Sequence, residues 1–167
     1  DGLPAYHGAV PENLREEYGE HYRQKASVQK PFPAPANVSK KFPALIRDRK
    51  EILILGSAGQ RIVTAGEVLC YAGLTAGLQA TQKNDYPITV LRGHSACEVI
   101  LSPHTIDYTG ITVPDVILAL GQEGIDRKKA LFNACGENTL VLVDSKAEIP
   151  DCRGTILPLD FKERKIK

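Results

Sequence analysis

Apolar and polar positions change register most sharply between Glu51 and Gly66. An unbroken apolar block, Ile52-Leu53-Ile54-Leu55, stops at Gly56-Ser57-Ala58-Gly59-Gln60, and small residues at helical spacing follow. That order predicts strand, tight turn, helix. A strand apolar on both faces is one covered on both faces, which points to a mainly parallel sheet with helices packed against it. The helix is predicted from Ile62 to about Ala76, where Ala65, Gly66, Ala72 and Gly73 let it lie close to its support and Gly77 is placed to end it.

Further along, Tyr86 to Leu91 and Ala96 to Leu101 read as extended, with Gln82 to Asp85 a loop by composition and Arg92-Gly93-His94-Ser95 a second polar turn. Ser102 to Val113 is irregular. Val116 to Leu120 is a third buried strand after Pro114-Asp115, Gly121 to Gly124 is a turn like the first, Asp126 to about Ala134 is a helix, and Thr139 to Val143 is one more buried strand ending at Asp144. From Pro150 a trailing edge segment leads to the basic tail Lys162 to Lys167. Repeated strand, turn and helix argue a Rossmann-like, doubly wound α/β fold with helices on both faces of the sheet.

The first fifty residues have another texture. Leu14, Tyr18 and Tyr22 make a narrow stripe on a predicted helix between Pro11 and about Gln29, and Lys30-Pro31-Phe32-Pro33-Ala34-Pro35 forces an extended spacer. Phe42-Pro43 interrupts any helix begun at Ser39. Residues 1–50 are therefore expected to be an arm or linker that docks on a partner chain or joins this domain to another in the same polypeptide, and residues 51–167 the α/β domain.

Composition narrows the classes. With 167 residues, 43% of them hydrophobic, the chain suffices for one domain with a real core. A formal net charge of +1 supplies no basic field for nucleic acid, and no apolar run approaches the ~20 residues that span a bilayer, so the expectation is a cytoplasmic protein bound to neither nucleic acid nor membrane. Cys70, Cys97, Cys135 and Cys152 lack C-x-x-C spacing, and His7, His21, His94 and His104 form no ligand pair, so no metal site is expected. The chain has no Met, which suggests a processed chain or a piece of something longer.

Candidate chemistry gathers at two turns. The Gly56–Gln60 turn opens a helix whose positive end can hold phosphate or carboxylate, and Arg92 beside Gly93 could clamp such an anion. A purely structural turn and a surface arginine paired with a carboxylate explain the same residues. The dinucleotide fingerprint G-x-G-x-x-G is not met, because Gly56 and Gly59 are followed by Arg61 rather than a third glycine.

Taken in order, Gly56-Ser57-Ala58-Gly59-Gln60 with Thr64-Ala65, then Tyr86-Pro87, Arg92-Gly93, a strand ending in Ser102, and Pro114-Asp115 before a buried strand resemble the gamma subunit or domain of 2-oxoacid:ferredoxin (acceptor) oxidoreductases. In that family the motifs usually read G-x-G-G-Q-G followed by T-A, and Y-G-P-E-x-R-G-G. Here Ala58 and Arg61 stand for glycines of the first motif and His94 for the last glycine of the second. The resemblance covers about Glu51 to Asp160, and family members usually continue into further helices.

The resemblance implies a component, inactive alone, of an enzyme that converts a 2-oxoacid and coenzyme A to acyl-CoA and carbon dioxide. Thiamine diphosphate, magnesium and [4Fe-4S] clusters would be carried by alpha-, beta- and delta-type partners, with ferredoxin as acceptor; pairing with a second copy of the chain is compatible with it. No G-D-G motif for thiamine diphosphate occurs here. Gly56, Ser57, Ala58, Gly59, Gln60, Thr64 as a cap, and Arg92 are the residues implied for contacts to coenzyme A or the 2-oxoacid, and none is implied as catalytic. The alternatives are a free-standing nucleotide-binding or dehydrogenase-like module and a purely structural assembly domain.

Overall fold

The computed structural model describes residues 39–88 and 92–161. The expected helix at 11–29, the proline spacer at 30–35 and the basic tail at 162–167 lie outside these residues. Every described residue belongs to one compact unit within 38–167.

Six strands form one sheet: β1 (Lys50–Ser57), β2 (Gln79–Asp85), β3 (His94–Ser102), β4 (Val116–Ala119), β5 (Leu140–Asp144) and β6 (Thr155–Leu159), in the spatial order β2-β3-β1-β4-β5-β6. The pairs β1–β4, β4–β5 and β5–β6 are parallel. β3 runs antiparallel to both neighbours, Ile54 standing opposite Cys97 and Gln82 opposite Val99. The fold is thus the expected mainly parallel α/β sheet with one reversed strand. Reversal follows from the chain's path, since β2 passes into β3 through a short connection and a parallel return needs a crossover.

β1 shows why its sequence has no alternation. Leu53 and Leu55 face a core with Ile100, Ile117, Ile125, Phe132, Val141 and Val143. Ile54 faces a second core with Ile62, Leu78, Cys97, Val99 and Leu101. Helix α1 (Ile62–Thr75) covers the second face. The two short helices α2 (Gln122–Arg127) and α3 (Lys129–Asn133) cover the first.

Small residues set the distance of α1 from the sheet. A Cβ at Gly66 would lie 2.9 Å from Gln82 Nε2 and overlap Cys97 Sγ, so any larger residue would lift the helix off β2 and β3. Gly77, at φ 81°, ends it: the Gly77 N–H bonds Leu74 O at 2.9 Å and the Leu78 N–H bonds Gly73 O at 3.0 Å. The segment before β1 returns to this end, where the Lys41 N–H donates to Thr75 O at 2.6 Å.

Three elements differ from the sequence reading. A strand forms at Gln79–Asp85, a polar stretch made extended by its ladder to β3, while of the strand expected at 86–91 the residues Tyr86 to Ile88 are outside the sheet, with Tyr86 and Ile88 exposed, and 89–91 lie outside the described residues. β3 begins at His94, inside the expected turn. The single helix expected from Asp126 starts earlier, at Gln122, and breaks at Lys128, whose backbone leaves helical geometry (φ −113°, ψ 26°) as its side chain reaches Asp85 and Glu98 on the sheet.

Candidate functional site

β1 is the strand at which the chain's direction of travel across the sheet reverses. β2 and β3 lie to one side of it and β4, β5 and β6 to the other. Outside the carboxyl ends of such strands the loops diverge and leave a crevice. In this protein the crevice is an open cleft of about 560 Å³. Ser57 and Gln60 enter it from β1, Leu120 to Glu123 from β4, and Asp144, Lys146 and Ala147 from β5, with Phe161 at its margin.

The Gly56–Gln60 turn is tied down on three sides. The Ser57 N–H donates to Gln60 Oε1 at 2.6 Å, and Gln60 Nε2 donates to Leu120 O at 3.2 Å, so one side chain clasps the ends of β1 and β4 together. The Gln60 N–H bonds Ser57 O at 3.1 Å, and the Ala58 N–H bonds Gly93 O at 2.8 Å. Three of the amides that could have cradled an anion, those of Ser57, Ala58 and Gln60, are therefore spent inside the protein. The cleft presents instead the Ser57 hydroxyl, the outer edge of Gln60 and the Lys146 ammonium, against the carboxylates of Glu123 and Asp144.

Gly59 takes φ 87° with nothing within 4 Å of where a Cβ would stand, so backbone conformation alone calls for glycine there. Arg61 is also left-handed (φ 57°, ψ 33°) and is the N-cap of α1, where no side chain caps the helix. This corrects Thr64 as a cap. Thr64 is the third residue of α1 and exposed, because the turn hands over to the helix at Arg61.

Arg92 is exposed, and Gly93 beside it brings the second turn against the first through the Ala58 bond. His94 Nε2 lies 3.1 Å from Asp85 Oδ1, and Asp85 also meets Arg127 Nε and Lys128 Nζ, each at 3.2 Å. Lys128 Nζ reaches Glu98 Oε1 at 2.9 Å. The hydrogen bond from His94, followed by those from Arg127 and Lys128, lowers the Asp85 carboxyl to about 2 against its burial. Burial opposes the Lys128 charge, but Glu98 and Asp85 outweigh it and raise the ammonium.

The motif residues Pro114-Asp115 lie at the other end of the sheet. Asp115 accepts the Glu51 N–H and the Lys50 ammonium, each at 2.8 Å, at the start of β1. They position strands and do not reach the cleft. Gly121 and Asp144 were visible in the sequence as strand ends; Lys146 and Phe161 carried no signal of their own, since only the sheet order brings them beside Gln60.

Among the described residues no three His, Cys, Asp or Glu side chains converge to hold a metal, and the four thiols are unbridged. No described helix is long and apolar enough to cross a membrane.

Sheet order, cleft position and the paired glycine turns define an open α/β domain with its crevice at the reversal strand. The chain belongs to the pyruvate ferredoxin/flavodoxin oxidoreductase family, whose model matches residues 51–167. Two curated relatives are named 2-oxoglutarate synthase subunit KorC: that of Methanocaldococcus jannaschii is 31% identical over 121 residues, 70% of this chain and 63% of its own, and that of Methanothermobacter thermautotrophicus is 39% identical over 82 residues, 48% and 43%. The matches thus span about half of those relatives' lengths. Among solved structures, the gamma subunit of a keto/oxoacid ferredoxin oxidoreductase from Geobacter sulfurreducens superposes with TM-score 0.51 at 33% identity, over 65% of this chain and 59% of its own. The fold is also that of a 2-oxoglutarate:ferredoxin oxidoreductase from Magnetococcus marinus (TM-score 0.57, 22% identity, 68% and 20% covered).

Proposed function

We propose that this chain is the gamma component of a 2-oxoacid:acceptor oxidoreductase, which forms an acyl-CoA and carbon dioxide from a 2-oxoacid and coenzyme A and passes the electrons to ferredoxin. The observation that carries the reading is the family match over 51–167 on a domain whose two motif turns are bonded to one another and whose first turn lines one cleft. The names of the curated relatives favour 2-oxoglutarate as the 2-oxoacid. On this reading the chain works in the cytoplasm, assembled with alpha-, beta- and delta-type components.

Thiamine diphosphate with magnesium supplies the carbanion chemistry of such an enzyme, and [4Fe-4S] clusters carry its electrons. The described residues of this chain do not fit either group: no acidic or thiol set converges for a metal, and the sequence holds no G-D-G. Its own part is to bind and position. Lys146 offers charge to an anionic part of coenzyme A, Ser57 a hydroxyl, and Gln60 holds the turn so that both face the cleft. Arg92 stands outside the cleft's lining and serves an approaching anion as an exposed cation.

Co-expression with thiamine-binding alpha and beta components and a ferredoxin-like partner tests the reading. A stable complex should oxidise 2-oxoglutarate in a coenzyme-A-dependent way, faster than pyruvate, while the chain alone is inactive. Failure to associate, or tight binding of NAD or ATP by the isolated chain, would refute it and favour a free-standing nucleotide module.

A further inference from the structure

Two of the four cysteines sit together away from the cleft. Cys135 follows α3 and is buried in the core beside Phe132, and Cys152, in the connection between β5 and β6, packs against that same cluster. The two thiols therefore share one cluster, and Cys152 stands near enough to bear on the Cys135 thiol. They differ in access. Cys152 is partly exposed and lines an open recess of about 260 Å³ together with Phe132, Asn133, Asp151 and Arg153. Its Sγ accepts the Gly154 N–H at 3.3 Å, and Asp151 and Arg153 flank the opening. Cys135 donates to Leu131 O at 3.4 Å, and burial, followed by the proximity of Cys152, pushes its thiol up to about 12, so it stays protonated at neutral pH.

We propose that Cys152 and Cys135 form a peroxide-responsive pair, Cys152 the thiol that reacts with hydrogen peroxide and Cys135 the one that resolves it into a disulfide. The Cys152 thiolate attacks one peroxide oxygen, the O–O bond breaks, and the departing hydroxide takes up the Cys152 proton and leaves as water. Cys152 is then a sulfenic acid. The Cys135 sulfur attacks the Cys152 sulfur, the S–O bond breaks, and hydroxide leaves with the Cys135 proton as a second water. Two thiols are oxidised to one disulfide as one peroxide is reduced to two waters.

The bond would fasten the end of α3 to residues 145–154, the connection that carries Lys146 and Ala147 into the cleft. Cys70 and Cys97 also stand near one another, but beneath a helix rather than beside an open recess. Cys97 is fully buried beneath α1, and Cys70 donates to Thr81 O at 3.7 Å on the same covered face.

Trypsin separates all four cysteines, placing Cys135 on peptide 130–146 and Cys152 on 147–153. The full chain is treated with hydrogen peroxide, unfolded in urea and blocked with N-ethylmaleimide, digested without reductant and weighed. The expected result is a linked species of these two peptides, 2 Da lighter than their sum, maleimide uptake falling from four thiols to two, and reversal by dithiothreitol. C152S should keep its three thiols and form no linked species. Unchanged uptake by the parent chain, oxidation of Cys70 or Cys97 before the pair, or dimedone capture of Cys152 without any linked species would each overturn the proposal. Because all three are read on the parent chain, they stand even if a Cys135 variant fails to fold.

Discussion

The Gly93 carbonyl oxygen accepts the Ala58 N–H at 2.8 Å. This bond joins two turns far apart in the chain, the one leaving β1 and the one entering β3, beside the register pair Ser57 and His94. Its consequence is chemical: an amide that a helix-opening turn could offer to a phosphate is already used, so anion binding at this end of the sheet falls to side chains.

Arg61 and Gly59 make a matched test of backbone strain in that turn. Both are left-handed, but only Gly59 suits that geometry. G59A should cost roughly 1–2 kcal/mol, since open space around the new Cβ leaves conformation as the sole penalty. R61G should hold stability or raise it by up to about 1 kcal/mol, the relief being offset in part by the entropy glycine adds to the unfolded chain. Urea unfolding of both variants checks the pair; a loss above about 1 kcal/mol for R61G would show that the arginine side chain supports the turn.

The Gln60 clasp separates stability from binding. Q60A leaves the Ser57 N–H and Leu120 O to water at an exposed site, which should cost only about 0.5–1.5 kcal/mol. Q60E keeps an acceptor for Ser57 but loses the donor to Leu120 and adds negative charge beside Lys146. In the assembled enzyme it should raise the KM for coenzyme A more than Q60A does, with kcat less affected. Equal KM values for parent, Q60A and Q60E would place coenzyme A elsewhere.

Where the sequence was legible, one residue pattern had one structural cause. Ile52 to Leu55 lacks alternation because both faces of β1 are buried, and Gly66 and Gly73 are small because α1 lies on β3. β2 was hidden because Gln82 to Asp85, more than half of it, reads as a loop, its strand state coming from pairing with β3 rather than from its own propensity. The first turn of the site could be found as a local signal. The cleft could not, because Gln60, Gly121 and Lys146 meet only through the order β1-β4-β5.

Asp85 sets the acid limb of stability. Its folded pKa lies near 2, below the ordinary 3.8, so its contribution is fully present above about pH 4 and is lost as pH falls through the folded value. The full contribution is at most about 2 kcal/mol, reduced by the partial exposure of the carboxylate. The parent chain should therefore lose stability between pH 4 and pH 2, and D85N should be less stable at neutral pH with a flatter profile across that window. A parallel fall of the two profiles would mean that Asp85 carries none of this dependence.

Lys128 is the joint between the helices on one face and the edge of the sheet. Its ammonium meets Glu98 at 2.9 Å and Asp85 at 3.2 Å, while the other cation near Glu98, Lys83, stands at 3.7 Å and is largely exposed. Glu98 is only 6% exposed, so K128M leaves a buried carboxylate with one distant, solvated partner and should cost about 3 kcal/mol. E98Q alone removes the charge but keeps an acceptor, and should cost less. If the penalty of K128M is the stranded Glu98 charge, the double variant K128M/E98Q should be more stable than the sum of the single losses by about 1–3 kcal/mol. If instead the break between α2 and α3 depends on Lys128 for its backbone geometry, the losses will add and E98Q will rescue nothing. Urea unfolding of the four proteins decides between charge and geometry.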